Sequence, residues 1–332
     1  MRVLVTGGTG FVGAHVVRRL VQRGHEVGAL VRPTSDVRTL ADLPVSPVVG
    51  DLIDPPSLER AVEGIDCLFH VAADYRLWVP DPQAMHEVNV AGTECLLRAA
   101  WNAGVGRMVY TSSAVTVACS ADRVGTEDDF LPPEAARSTY QRTKILAERA
   151  VWGLIREGAP ITIVNPSTPI GALDHRPTPT GRLVVDFLNG RLPAFVDAEL
   201  NWIDVADVAE GHRLAAEAGR TGERYILGHR NMMLRDFLQL LAEVSGRPAP
   251  RMKIPYAVAY MAGAAGELWG RVTGREPRAS LDAVRMAASP MRYEGGKAVK
   301  ELGLPQSPIR AAMEDAVRWF RAGGYVEKGA VE

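Results

Sequence analysis

Thr6-Gly7-Gly8-Thr9-Gly10-Phe11-Val12-Gly13 decides the fold, because it sets glycines at 7, 10 and 13 between a β-rich run at 3–6 and a helical pattern. In that pattern Val12, Val16 and Leu20 recur at every fourth position, and Gly24 stands where the helix would stop. Strand, glycine turn and helix in this order predict a dinucleotide-binding turn. Gly7 permits the tight turn, Gly10 lets backbone approach a pyrophosphate, and Gly13 allows the helix to pack closely on the strand. The first helical residues, Phe11, Val12 and Gly13, then offer unpaired N–H groups to the phosphates. The competing reading is a glycine-rich turn that binds nothing.

Working outward, further β-rich runs at 26–31, 47–50, 67–71, 107–111 and 161–164 alternate with helical patterns. Such alternation predicts an α/β fold with a doubly wound parallel sheet of the Rossmann kind. After about residue 170 the alternation breaks at a Pro-rich stretch, 177–181, and later patterns are mostly helical. The expected division is a dinucleotide-binding domain over 1–170 with a return segment at 199–228, and a smaller, mostly helical substrate-binding region over 171–198 and 229–332.

At the end of the second run an NAD-preferring fold would place an acid for the ribose 2′-hydroxyl, yet the sequence there is Ala29-Leu30-Val31-Arg32. Arg32, with Thr34 and Ser35 close by, suits a 2′-phosphate, which favours NADP(H) over NAD(H). A solvated surface arginine is the plainer alternative. Asp51 and Leu52 follow the third run, and Ala72 and Ala73 follow the fourth; all four fall at the sheet edge where open α/β sheets bind ligands.

The chain has 332 residues, 47% of them hydrophobic, and a net charge of -1, which suits a globular protein with a substantial core and gives no electrostatic footprint for nucleic acid. Cys67, Cys95 and Cys119 are scattered without metal-ligand spacing, so neither disulfides nor a metal site are expected, and a reducing cytoplasm fits. The glycines interrupt the apolar start before a signal peptide could form.

Ser138-Thr139-Tyr140-Gln141 has the form of a capping box, with Ser138 as N-cap and Gln141 reaching back, and predicts a helix from about 139 toward 157. Tyr140 and Lys144 then share one face. An ammonium one turn from a phenol favours the phenolate and draws the tyrosine pKa down from about 10, making Tyr140 a usable acid or base. The only lysine before position 253 is this one, four residues after a tyrosine. An ordinary surface pair at this spacing is the alternative. Ser113, closing the run Val109-Tyr110-Thr111-Ser112-Ser113, can donate to a carbonyl oxygen that Tyr140 protonates. Asn89, in Asn-Val-Ala-Gly-Thr (89–93), is either a helix-bending or water-holding amide of the same site or a plain helix start.

The motifs TGGTGFVG, GDL, HVAA, NVAGT, YTSS, YQRTK and WIDVADVAEGH occur here in the order found in the extended short-chain dehydrogenase/reductases, and the chain resembles that family over nearly its whole length. HVAADYRLWVPDP (70–82), VNPSTPIG (164–171), PTPTGRLVVDFLNG (177–190) and AVRWFRAGGY (316–325) look most like its hopanoid-associated sugar epimerase branch, whose relatives include dihydroflavonol 4-reductases and 3β-hydroxysteroid dehydrogenases. The resemblance implies Ser113, Tyr140, Lys144 and Asn89 as catalytic residues. It adds Pro166, Tyr140 and Lys144 to the cofactor contacts, gives Arg76, Ser113, Thr168 and Thr178 to the substrate, and implies a homodimer built on helices near 83–103 and 139–157. One departure matters. Sugar-nucleotide members commonly carry asparagine three residues before the glycine corresponding to Gly171, where this chain has Thr168, so a diphosphate anchor is missing unless Arg76, Arg176 or Arg182 supplies it.

The resulting expectation is reversible hydride transfer between NADP(H) and a carbonyl or secondary alcohol of a small or lipid-linked substrate. Nucleotide-sugar or lipid-linked epimerisation or dehydration, a 3β-hydroxysteroid dehydrogenase-like reaction and a non-catalytic dinucleotide sensor are the alternatives. The apolar stretch 254–269 is too short to span a bilayer, and reads either as a helix of the substrate region or as a peripheral membrane contact.

Overall fold

A computed structural model describes residues 1–277 and 280–327. The first half runs β1 (Arg2–Thr6), α1 (Phe11–Gln22), β2 (Glu26–Val31), β3 (Val45–Val49), α2 (Pro55–Ala61), β4 (Cys67–His70), α3 (Pro82–His86), a π-turn at Glu87–Ala91, α4 (Gly92–Asn102), β5 (Arg107–Thr111), α5 (Thr139–Glu157) and β6 (Ile161–Pro166). The second half continues with β7 (Thr168–Ile170), α6 (Pro179–Leu188), β8 (Ala194–Phe195), β9 (Glu199–Asp204), α7 (Val205–Ala218), β10 (Arg224–Leu227), β11 (Arg230–Met233), α8 (Leu234–Ser245), β12 (Met252–Lys253), α9 (Tyr256–Thr273), α10 (Leu281–Ala287), α11 (Gly296–Leu302) and α12 (Ile309–Ala322).

Seven strands form one parallel sheet in the order β10-β6-β5-β4-β1-β2-β3. The chain builds outward from β1 to β3, then returns to the other side of β1 with β4. That reversal opens a crevice at the carboxyl ends of β1 and β4, the place where such sheets take ligands. The central strand β4 is buried along its whole length, as expected of a strand covered on both faces. Edge strand β3 is largely exposed and tolerates Pro47, whose missing N–H costs nothing there. It starts two residues earlier than the pattern predicted. Strand β4 stops at His70 because the N–H groups of Val71 and Ala72 turn away to the Thr6 hydroxyl, both at 3.1 Å.

One face of the sheet is covered by α1, α7 and α11 around Val16, Val17 and Leu20; the other by α2, α4 and α5 around Leu58, Leu96, Leu97 and Val151. A second sheet, β11-β9-β7, starts the C-terminal region. The return segment enters through β9 in this smaller sheet before β10 rejoins the large one beside β6. Beneath it Trp202 stacks on Phe237 at 3.6 Å between centroids, in a core closed by α6, α8 and α12.

Candidate active site

The glycine turn is built as its spacing required. Gly7 has φ +69°, and a Cβ there would stand 2.7 Å from the Ala72 nitrogen. A Cβ on Gly13 would fall 2.0 Å from the Gly7 carbonyl oxygen, so only hydrogen fits where α1 meets the turn. Gly10 is the N-cap of α1, and no acidic residue occupies the first turn. The N–H groups at Phe11, Val12 and Gly13 thus head a 12-residue helix without a competing anion. These features fit a dinucleotide pyrophosphate. Asp51, Leu52, Ala72, Ala73 and Pro166 all lie at or just beyond the carboxyl ends of β3, β4 and β6, on the same edge. Leu52 also abuts α4, since a Cβ on Gly92 would come within 2.8 Å of it.

Arg32 stands exposed one residue past β2, with its backbone N–H held by the Ser35 hydroxyl at 3.0 Å and no ion pair among the described residues. Asp36, four residues on, is taken up by Arg38, whose guanidinium holds its carboxyl well below the usual range.

Helix α5 begins at the predicted position. The Ser138 hydroxyl accepts the Gln141 N–H at 3.0 Å. Gln141 reaches back one residue further than a capping box would have it, accepting the Arg137 N–H at 2.7 Å while its amide donates to the Val115 carbonyl at 2.9 Å. This second bond ties the helix start to the loop carrying Ser113. The Ser113 hydroxyl stands beside the Tyr140 phenol and by hydrogen bonding opposes the effect of burial, which raises the phenol's pKa. The expected depression by Lys144 is therefore not found: the phenol lies above its ordinary range. The Lys144 ammonium, itself 2% exposed, is turned the other way, donating to the Thr111 carbonyl at 2.8 Å and the Tyr110 hydroxyl at 3.1 Å. Burial pulls the Lys144 pKa down to about 8, against the opposing field of Glu148. Desolvation thus dominates at both members of the pair.

Asn89 does not start a helix. It sits in the π-turn between α3 and α4, accepts the Asp74 N–H at 2.7 Å, and donates to the Asp74 carbonyl at 2.8 Å and the Thr143 hydroxyl at 3.0 Å. One side chain therefore joins the loop after β4 to the residue preceding Lys144.

Two buried networks had no local signal in the sequence. The first runs from the glycine turn to Asn89. Thr6 Oγ1 spends its two lone pairs on the Val71 and Ala72 N–H groups, so its proton goes to His70 Nδ1 at 2.8 Å. His70 Nε2–H then donates to Thr93 at 2.9 Å, and Thr93 donates to the Asn89 carbonyl at 2.7 Å. Burial lowers the His70 pKa to about 3, which keeps it in the neutral form this chain of bonds needs. In the second network Glu148, one turn beyond Lys144, pairs with Arg224 at 2.8 Å, and both are nearly inaccessible. Its other oxygen accepts from Ser112, from Thr116 at 2.8 Å and from Asn165 at 2.9 Å. Asn165 accordingly points into the interior and not toward a substrate.

Among the remaining substrate candidates, Arg76 is paired with Asp74 and Arg182 with Glu276, at 2.9 Å and 2.8 Å. Thr168 opens β7, partly exposed. Thr178 is the N-cap of α6, accepting the Gly181 N–H at 3.2 Å and donating to Asp174 at 2.8 Å, so its hydroxyl is engaged in building the helix. Among the described residues no group of three or more His, Cys, Asp or Glu side chains could hold a metal ion.

A glycine turn at a switch-point crevice, with serine, tyrosine and lysine on the adjoining strand end and helix, defines an NAD(P)-dependent oxidoreductase or epimerase of the short-chain type. Residues 3–228 match the NAD dependent epimerase/dehydratase family, and the chain belongs to that family of extended short-chain enzymes. A protein of Synechocystis sp. named as a dihydroflavonol 4-reductase is 44% identical over 97% of this chain and 95% of its own. Sterol demethylase protein B of Methylococcus capsulatus is 38% identical over 98% and 100%. A solved nucleoside-diphosphate-sugar epimerase from Pseudomonas aeruginosa superimposes with a TM-score of 0.81 at 28% identity, covering 98% of this chain and 99% of that one.

Proposed function

We propose that this chain is an NADP(H)-dependent oxidoreductase acting on a carbonyl or secondary alcohol of a lipid or lipid-linked substrate, working as a cytoplasmic homodimer with residues 1–170 and 199–228 serving the cofactor and the rest the substrate. The observation that carries the reading is the placement of Tyr140 and Lys144 one turn apart on α5, whose start Gln141 ties to the loop carrying Ser113. A nicotinamide, when bound, supplies or accepts the hydride. At neutral pH Tyr140 holds its proton and is ready to deliver it to a carbonyl oxygen, while Ser113 donates to the same oxygen and polarises it. Lys144, one turn along α5, would hold the cofactor's ribose and supply the nearby positive charge that favours a phenolate. Asn89 and Glu148 fix the two segments that carry these groups. Arg32 reads the 2′-phosphate.

Reduction is favoured over sugar-nucleotide epimerisation because Thr168 opens β7 where sugar-nucleotide enzymes commonly carry the asparagine that anchors a diphosphate. The similarity to sterol demethylase protein B supports a lipid-like substrate.

Tyr140→Phe tests the assignment. It should lower kcat by about 10² to 10⁴ with cofactor affinity nearly unchanged, since the ring still fills its place. Normal turnover by this variant would remove Tyr140 from the chemistry. Stoichiometric NADPH oxidation by the wild type supports a reductase; turnover without net cofactor change would replace it with an epimerase.

A further inference from the structure

Helix α9 has its large side chains on the wrong side. Its buried positions are the small residues Ala259, Gly263 and Gly270, whereas Met261 is 63% exposed, Leu268 66% and Val272 79%. At about 100° per residue, Val258, Met261, Leu268, Trp269, Val272 and the alanines between them occupy one solvent-facing arc of roughly 160° with no charge in it. The helix's two charged residues, Glu267 and Arg271, sit at the margin of that arc, toward the protein. A surface helix of a globular protein has the opposite arrangement. So large a contiguous apolar face marks a surface that something covers.

We infer that α9 is an interfacial helix that seats the enzyme on an anionic lipid bilayer, its apolar arc in the acyl boundary and its flanking cations on the headgroup phosphates. Charge is what selects this occupant. Segment 251–275 carries four cations, Arg251, Lys253, Arg271 and Arg275, against the single acid Glu267. All four cations are exposed, two before the helix and two at its end. Arg251 and Arg275 have no ion pair among the described residues, and the pairs Lys253–Asp197 and Arg271–Glu267 are exposed ones that cost little to exchange for lipid phosphate. Trp269, within that arc and 47% exposed, is the amphipathic ring that settles at headgroup level. A second copy of this chain is the poorer partner. A two-fold contact through the same face would set both cationic ends against cationic ends. The helix lies on the bilayer and does not cross it, since no helix among the described residues is long and apolar enough to span one.

The surface adjoins the loop after β4 and the helix that steadies the start of α5. A Cβ on Gly270 would stand 3.0 Å from the Trp78 indole, in the loop that follows β4 and carries Asp74. The next helix, α10, holds the start of the catalytic helix: Asp282 accepts the Thr139 N–H at 2.8 Å, and the Ser138 hydroxyl donates to the Met286 sulfur at 3.2 Å. A bilayer under α9 would therefore lie beside the elements that frame Tyr140. The inference stands independently of hydride transfer.

Co-sedimentation of the full chain with sucrose-loaded vesicles tests it, comparing pure phosphatidylcholine with an equal mixture of phosphatidylcholine and phosphatidylglycerol. The expected result is at least ~10-fold stronger pelleting with the anionic vesicles, largely reversed by about 0.5 M salt. The double variant Leu268→Glu/Val272→Glu should lose at least ~10-fold in vesicle affinity while its thermal midpoint stays at the wild-type value, because both side chains are exposed. Protein left in the supernatant with anionic vesicles, or a double variant that pellets like the wild type, would overturn the inference. So would a vesicle-free sedimentation-velocity run in which the double variant turns a wild-type dimer into a monomer, since α9 would then be covering a second copy.

Discussion

Raising the pH should switch off cofactor retention well before it unfolds the protein. Lys144 is the perturbed group, with its ammonium buried and its pKa drawn down to about 8. On that value roughly nine-tenths of the chains carry the charge at pH 7 and about a tenth at pH 9. Loss of a charge-assisted hydrogen bond is worth about 1.5 to 3 kcal/mol, so affinity should fall by roughly 5- to 10-fold across that window, the tenth still charged at pH 9 setting the upper limit. The stability effect has the other sign. A folded-state pKa of about 8 lies below the ordinary 10.5, so between these values the unfolded chain binds more protons and folding gains as pH rises, by up to about 3 kcal/mol from this group. Fluorescence titration of cofactor binding from pH 6.5 to 9.5, beside urea denaturation over the same range, separates the two (about three pH units, spanning the titration of a lysine at 8). Lys144→Arg should flatten the binding limb, because a guanidinium does not lose its proton there. Glu148→Gln should move the limb to lower pH by removing the carboxylate that opposes deprotonation. A wild-type affinity that stays level to pH 9.5, or an unchanged limb in Lys144→Arg, would refute the reasoning.

Two further perturbations reach other parts of the site. Arg32→Ala should cost on the order of 1.5 to 3 kcal/mol of NADPH binding and leave NADH nearly unaffected, as read by calorimetry with each cofactor; equal losses would mean that Arg32 does not read the phosphate. Asp174 is 2% exposed, and burial pushes its carboxyl up to about 6 from 3.8, so the folded state binds its proton more tightly and stability declines as pH rises from about 4 through 6. Asp174→Asn should therefore match the wild type near pH 4 and exceed it by up to about 3 kcal/mol at pH 8 in chemical denaturation, and a pH-independent difference would dismiss this account.

The parts of the molecule legible in the sequence are those where a local rule and the tertiary environment agree. The glycine turn demanded by 7, 10 and 13 exists because each missing Cβ answers a real approach of backbone to backbone. The capping of α5 was written in Ser138 and Gln141, although the bond from Gln141 to Arg137 was not. Tyr140, Lys144 and Ser113 were legible as a set, yet their charge states were not, since those depend on burial that no spacing of residues encodes. Lys144 turns toward Tyr110, a residue chosen by the pairing of β5 with β4 and β6. His70, Thr6 and Thr93 are ordinary residues in sequence, and Glu148 and Arg224 are 76 positions apart. What joins them is sheet order, which a single chain reveals only after it has folded.

The Glu148–Arg224 pair carries this point into the chemistry. Burying two charges costs several kcal/mol, and apolar residues of similar volume often serve stability as well or better. A role in stability alone therefore does not account for it. Glu148 divides its oxygens between the arginine of β10 and a set of donors, Ser112 and Thr116 in the loop after β5 and Asn165 on β6, that surround Ser113. The same carboxylate lies one turn from Lys144 and opposes its deprotonation. An apolar substitute would fill the space and do neither. One buried anion thus fixes the loop that carries Ser113 and helps hold the charge on Lys144, two tasks that tie β5, β6, β10 and α5 together and that its desolvation cost accompanies.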